Sequence, residues 1–303
     1  VHHNMRLHFG NTETQIEKAA SGMRVNRSSD DPASLALANG IDAEIKALAE
    51  GGRNVQQSIH MLQVAEGGMA HIAEIVRRMQ ELARQGMRDG AFGFSTGLTY
   101  APGAYSDTDE LVSVCEAICD LGGIYMTHAR YSLGDRLLDP FREALTVGRQ
   151  AGLPVHISHY HNPVEGMGEK MIALVDEARN SDIDVTYDQY PYPAASTVLH
   201  SLLPYWVHAG GPPALMQRIK DRRIRDEIGD SVDPQWGMTL DHYIFSHIKS
   251  DQNKEWEGRS LTDLAKSRGE RMVDAICDLL IEEDLEVAFV ARTGNPDNIR
   301  TIL

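Results

Sequence analysis

From Ser34 to Ala83 the apolar residues recur every three or four positions, and after Gly86 that spacing is gone. Leu37, Ile41, Ile45 and Leu48 make one stripe, Val55, Ile59 and Leu62 a second, and Met69, Ile72, Val76, Met79 and Leu82 a third. A period near 3.6 dictates an amphipathic helix and rules out a half-buried strand. The stretch "SSDDPAS" supplies its start, because Asp30 or Asp31 can cap and Pro32 suits the first turn. Gly51-Gly52 and Gly67-Gly68 are expected breaks or close-packing points.

Beyond Gly86 short apolar runs alternate with longer helical ones. Strands are expected over 91–96, 123–128, 154–159, 183–189, 242–246 and 287–291. Helices are expected over 107–121, 134–151, 168–180, 213–227, 261–267, 271–282 and 295–302. Such alternation predicts parallel strands joined by crossover helices, about six of them, two short of a closed eight-stranded barrel.

Composition narrows the function. A net charge of −15 with no basic stripe argues against nucleic-acid binding. The absence of a long apolar run argues against a membrane partner. The opening "VHHNMRLHFGNTETQ" has no apolar core of signal-peptide type, and three cysteines make no disulfide framework. A reducing, cytoplasmic setting is expected. Cys115 and Cys119, four apart, read as a shared buried helix face rather than a metal site.

In parallel α/β folds chemistry gathers at the C-terminal ends of strands. "GGIYMTHAR" ends a strand at His128, and "LPVHISHYH" ends the next at His159. Alternation sets His159 on one face with Val155 and Ile157, within reach of His128 from the adjacent strand. Two imidazoles so placed suit zinc.

The words themselves resemble two families. "SGMRVNRSSDDPASLALANG" and "LQVAEGG" resemble the N-terminal region of bacterial flagellins over residues 1–85, within an expected helical segment 1–86. "DGAFGFSTGLTYAPG", "GGIYMTHAR", "GLPVHISHYH", "DVTYDQYPYPAASTVL" and "EGRSLTDLAKSRG", five motifs in order over 87–303, resemble D-aminoacylases, the N-acyl-D-amino-acid deacylases of the amidohydrolase superfamily. The resemblance implies an α/β fold, a partial TIM barrel of the amidohydrolase type, preceded by a helical flagellin-like segment. It implies zinc-dependent hydrolysis of the amide of an N-acyl-D-amino acid. Residue by residue it makes His128 and His159 zinc ligands. Tyr100, Tyr190 and Tyr192 become substrate-contacting tyrosines. His161 stands where many members carry a lysine for the substrate carboxylate, and Arg130 is a second candidate for that anionic task.

The same resemblance marks what is lacking. No His-x-His pair precedes Gly90, since His2 and His3 are adjacent, and the family's metal-binding cysteine has no counterpart. The late catalytic aspartate would follow Leu303, so no catalytic residue is assigned. Asp188 is a poor substitute, because alternation puts it opposite Val185, Tyr187 and Gln189. Weak zinc binding and little or no turnover are expected. Three readings stay open: a deacylase-type enzyme or its remnant; a flagellin-type filament subunit, extracellular and self-associating through its N-terminal helices; and a chimeric frame without integrated activity.

Overall fold

The computed structural model describes residues 12–13, 15–22, 24–27, 31–131, 137–232, 240–292 and 294–303. Residues 1–11, Asp30, Gly134 and 233–239, which carry some of the expectations above, lie outside the described residues. The chain divides into two compact units, Val1–Glu74 and Ile75–Leu303.

The first unit is helical. Helix α1 (Pro32–Arg88) begins as its sequence dictates. The Asp31 carboxylate accepts from the Ser34 backbone N–H at 3.1 Å and from the Ser34 hydroxyl at 2.7 Å, with Pro32 in the first turn. These bonds hold the Asp31 carboxyl below its ordinary value. Neither glycine pair breaks the helix, contrary to expectation. Each glycine costs about 1 kcal/mol relative to alanine, too little to end a helix this long. They are not packing points either, because a Cβ at Gly51, Gly52, Gly67 or Gly68 would meet nothing within 4 Å. The apolar stripe forms as predicted, yet Leu37, Ile41, Ile45, Leu48, Val55, Leu62 and Ile72 are all exposed.

In the second unit the last turns of α1 dock on α2 (Thr108–Cys119). The Gln80 amide donates to the Ser113 carbonyl at 2.9 Å, and Arg84 grips the Asp120 carboxylate with two bonds of 2.9 Å. Gly90, at φ +105°, then turns the chain into β1 (Gly93–Gly97). Strands β2 (Ile124–His128), β3 (Val155–Ser158) and β4 (Val185–Tyr187) follow, all parallel, in the order β1-β2-β3-β4. The register pairs Gly97 with His128 and His128 with Ser158.

One face of this sheet packs under α2, α3 (Asp139–Ala151) and α4 (Met167–Asn180). Cys115, Ile118, Tyr125, Phe141, Val147, Ile157 and Met171 fill that layer and are fully buried or nearly so. Each large apolar side chain contributes about 1.5–3 kcal/mol by leaving water. Cys115 belongs to this core, and burial pushes its thiol up to about 12. Cys119, the last residue of α2, is exposed, so the two cysteines share no buried face. On the opposite face of the sheet Ser95, Met126 and Thr186 stay exposed.

The expectation of six parallel strands is corrected. Strands β6 (Tyr243–Ile248) and β7 (Val287–Ala291) join β5 (Ala195–Val198) in a separate antiparallel sheet of order β5-β7-β6. Alternating strand and helix patterns fix that an element exists, not which way it runs. Strand β5 escaped notice because "ASTV" has neither a branched apolar run nor clean alternation. The helix expected over 213–227 is two, α5 (Pro212–Arg218) and α6 (Arg222–Val232), with buried Ile219 between them and the Asp221 carboxylate accepting from the Arg223 N–H at 2.9 Å. Helices α7 (Leu261–Arg268) and α8 (Met272–Glu282) pack here around Leu199, Phe245, Leu264, Ile276, Leu280 and Phe289. Helix α9 (Pro296–Ile302) closes onto α4.

Candidate functional site

His128 is the final residue of β2, and its ring stands beyond the strand end. His159 reaches the same place by a different route. Val155 and Ile157 point into the helix-covered core, so strict alternation would carry His159 in with them. Instead β3 ends at Ser158, and His159 adopts φ +57°, a left-handed step that turns its side chain out. Two bonds hold that step. The His159 N–H donates to the Asp188 carboxylate at 2.8 Å, and its carbonyl accepts from the Tyr131 hydroxyl at 2.6 Å. The His128 and His159 ring centres are 5.3 Å apart.

Tyrosines surround the pair. Tyr100 and Tyr131 each lie 5.3 Å from His128, and Tyr190 lies 5.8 Å from His159, centre to centre. His161 packs between Tyr131 and Tyr190 at 5.2 Å from each, and Tyr192 stacks on Tyr190 at 4.9 Å. Together they line a cavity of about 530 Å³ whose far wall is Ala195–Thr197 of β5 and Val290 of β7. The Tyr100 hydroxyl is 2.9 Å from that of Thr197. The unforeseen strand β5 thus supplies one side of the cavity.

Burial, reinforced by the neighbouring imidazoles, pushes both His128 and His161 down to about 4. Both rings are neutral near pH 7, with lone pairs free to donate. A neutral His161 brings no positive charge to a substrate carboxylate. Burial also raises the Tyr131 hydroxyl strongly and that of Tyr190 to about 12, so both remain proton donors.

Six of the seven residues singled out from the sequence line this one cavity; Arg130 does not. Its side chain is buried, donating to Glu143 at 3.2 Å and to the carbonyls of Ala104 and Ser106 at 2.6 and 2.5 Å. These bonds hold the loop after β1 and occupy the Arg130 guanidinium there. Two contributors were missed. Tyr131 follows Arg130, and its hydroxyl braces His159. His156 binds Asp188 through Nε2 at 3.0 Å and Thr186 through Nδ1 at 2.8 Å. Alternation did place Asp188 off the Val185 face, which is where His156 meets it. Burial raises the Asp188 carboxyl, but the bonds from the His159 N–H, His156 and Ser158 outweigh it and leave it below its ordinary value.

Two imidazoles sharing a zinc ion at 2.0–2.1 Å place their ring centres about 5 Å apart. His128 and His159 meet that condition. Among the described residues, however, no group of three or more His, Cys, Asp or Glu side chains could hold a metal ion. Catalytic zinc sites use three protein ligands and an open position. The described donor set, at two, falls short of a catalytic zinc centre.

Known proteins match the two parts separately. The family model of the bacterial flagellin N-terminal helical region matches residues 2–92. A flagellin of Halalkalibacterium halodurans is 39% identical over 85 residues, 28% of this chain and 31% of that protein. A D-aminoacylase of Alcaligenes xylosoxydans xylosoxydans is 38% identical over 129 residues, 42% of this chain and 26% of that enzyme. The solved N-acyl-D-glutamate deacylase of Bordetella bronchiseptica, complexed with zinc and a phosphonate inhibitor, shares the fold. Its TM-score is 0.55 at 23% identity, over 75% of this chain and 40% of that one. The chain thus spans only a quarter to a third of the length of these curated relatives. Among the described residues no helix is long and apolar enough to cross a membrane. The chain thus resembles flagellins over its N-terminal helical region and D-aminoacylases over part of its α/β unit.

Proposed function

We propose that the second unit is a deacylase-type site that binds an N-acyl-D-amino acid, a small-molecule partner, with weak or no turnover. The observation that carries this reading is the convergence of His128 and His159, ring centres 5.3 Å apart, in a tyrosine-lined cavity of about 530 Å³. In it His128 and His159 stand as paired imidazoles lining the cavity, the residues that would face a zinc ion. Tyr100, Tyr190 and Tyr192 contact the acyl-amino acid by hydroxyl donation and ring stacking. His161, neutral and packed between two tyrosines, shapes the pocket instead of pairing with a carboxylate. A two-imidazole donor set among the described residues supports weak zinc binding and slow chemistry. The first 86 residues form the helical segment and 87–303 the partial barrel. This reading goes with a cytoplasmic setting.

The test is hydrolysis of N-acetyl-D-methionine by the full chain with added zinc. Turnover at or near background is expected, with substrate analogue binding lost on Tyr190→Ala. Robust turnover abolished by His128→Ala or His159→Ala would overturn the assignment of weak chemistry. No analogue binding at all would overturn the site.

A second reading rests on a separate observation, the exposed apolar stripe of α1. An uncovered stripe of this length favours association, and the flagellin match supports self-association through these helices in an extracellular filament. Electron microscopy of the purified protein should show ordered fibres if this is so; amorphous clumps or single particles count against it.

A further inference from the structure

The apolar stripe of α1 contains a stricter repeat. Ile41, Leu48, Val55, Leu62, Met69 and Val76 stand seven residues apart without a break, and the first five are exposed. Four residues on from each of those five come Ile45, Gly52, Ile59, Glu66 and Ala73. A straight helix turns every 3.6 residues, so a repeat of seven drifts off one face unless the helix coils around a partner of the same period. A second copy of α1 has that period.

We propose that α1 pairs with the α1 of a second copy of this chain in an antiparallel, two-stranded coiled coil. This rests on the self-association reading above and gives it a closed, two-fold form in place of an open filament. The inner residues choose the direction. In a parallel, in-register pair each inner position meets itself. Glu66 would then face the second Glu66, a like-charge contact out of water, and Gly52 would face the second Gly52 across a void. An antiparallel pair centred between Ile59 and Leu62 avoids both. Leu48 then faces Ala73 of the second copy, Met69 faces Gly52, and Glu66 faces Val55. Large residues meet small ones, as interdigitating layers require. Within one chain a Cβ at Gly52 would meet nothing.

The flanking charges select the same register. It sets Asp42 of each copy beside Arg77 of the other, one such pair at either end of the seam. Both side chains are exposed, and within their own helix Asp42 pairs with Lys46 at 2.6 Å and Arg77 with Glu81. Opposite charges at flanking positions set partner orientation in coiled coils. From Ala49 to Ile72 the flanking positions carry no charge that would oppose this register.

The test uses the full chain with Cys119→Ser, which removes the exposed thiol and leaves Cys115 and Cys277 buried. Sedimentation at micromolar concentration should give the mass of two chains. Glu66→Leu should tighten the pair at least tenfold, because an apolar contact replaces an enclosed acid twice by symmetry. Direction is read by oxidation. A mixture of Leu48→Cys and Ala73→Cys chains should form a mixed disulfide-linked pair. Leu48→Cys alone should stay unlinked, since its two copies lie about 37 Å apart along the seam. Linking of Leu48→Cys to itself would show a parallel pair and overturn the proposal. The mass of one chain at every concentration would overturn both the proposal and the self-association reading. Fibres without the mixed disulfide would overturn the closed pair and leave the filament reading standing.

Discussion

Asp188 accepts a hydrogen bond from the backbone N–H of His159 at 2.8 Å, while its second oxygen meets Nε2 of His156 at 3.0 Å. One carboxylate thereby ties the end of β4 to β3 and holds the left-handed residue on which the His128–His159 pairing depends. Asp188→Ala should cost about 1–2 kcal/mol, the scale of hydrogen bonds to a charged group at a half-exposed position. Asp188→Asn, which can still accept one bond, should cost less. Urea unfolding distinguishes them, and equal losses would show that the carboxylate does not brace His159.

Arg130 and Glu143 are both buried and bonded to each other. Arg130→Ala leaves a carboxylate without its partner in the core and strips two carbonyls of their donor. A loss of about 3–5 kcal/mol is expected. Thermal unfolding should show it, with no selective change in ligand affinity among the molecules that remain folded. A folded variant of normal stability with weakened carboxylate binding would return Arg130 to the substrate.

Glu283 is buried and accepts from the Ser250 N–H at 2.7 Å, the Ser250 hydroxyl at 2.6 Å and the Asn253 amide at 2.6 Å. Burial raises its carboxyl, but these bonds outweigh it and leave it below the ordinary value of 4.5. The unfolded chain therefore takes up this proton first as pH falls. The contribution is complete above pH 4.5 and is lost as pH drops through the lower folded value. Glu283→Gln should lower stability at pH 7 and flatten its decline in acid. Parallel pH–stability curves would refute the assignment.

Gly51 and Gly67 lie inside α1 with open space around them. Alanine at either should raise helix stability by about 1 kcal/mol. The 222 nm melting curve reads this directly. A fall instead would mean that these positions are contact points in the protein as it exists in solution.

Much of this was readable from residue order, for physical reasons that also explain the failures. Asp31 and Pro32 announce a helix start through local chemistry that no distant contact can change. His128 and His159 were findable because apolar strands stop at them. The antiparallel sheet was not, since Tyr243–Ile248 and Val287–Ala291 look the same in either direction. Alternation gave the right neighbourhood for His159 for the wrong reason, because a left-handed backbone leaves no mark in a non-glycine residue name. For Arg130 the sequence shows a charge near a histidine but not the buried Glu143 it bonds, because that partner lies in another element.

Asn298, in α9, donates to the carbonyls of Asn162 and Val164 at 2.9 and 2.6 Å and accepts from the Gly168 N–H at 2.9 Å. The loop carrying His161 is thus latched by a residue made more than a hundred positions later. Ribosomal synthesis must pass through a stage in which β1 to β4 exist and that latch does not. A protease nick between Ser181 and Asn295 would recreate that stage, loosening the His161 loop without cutting it.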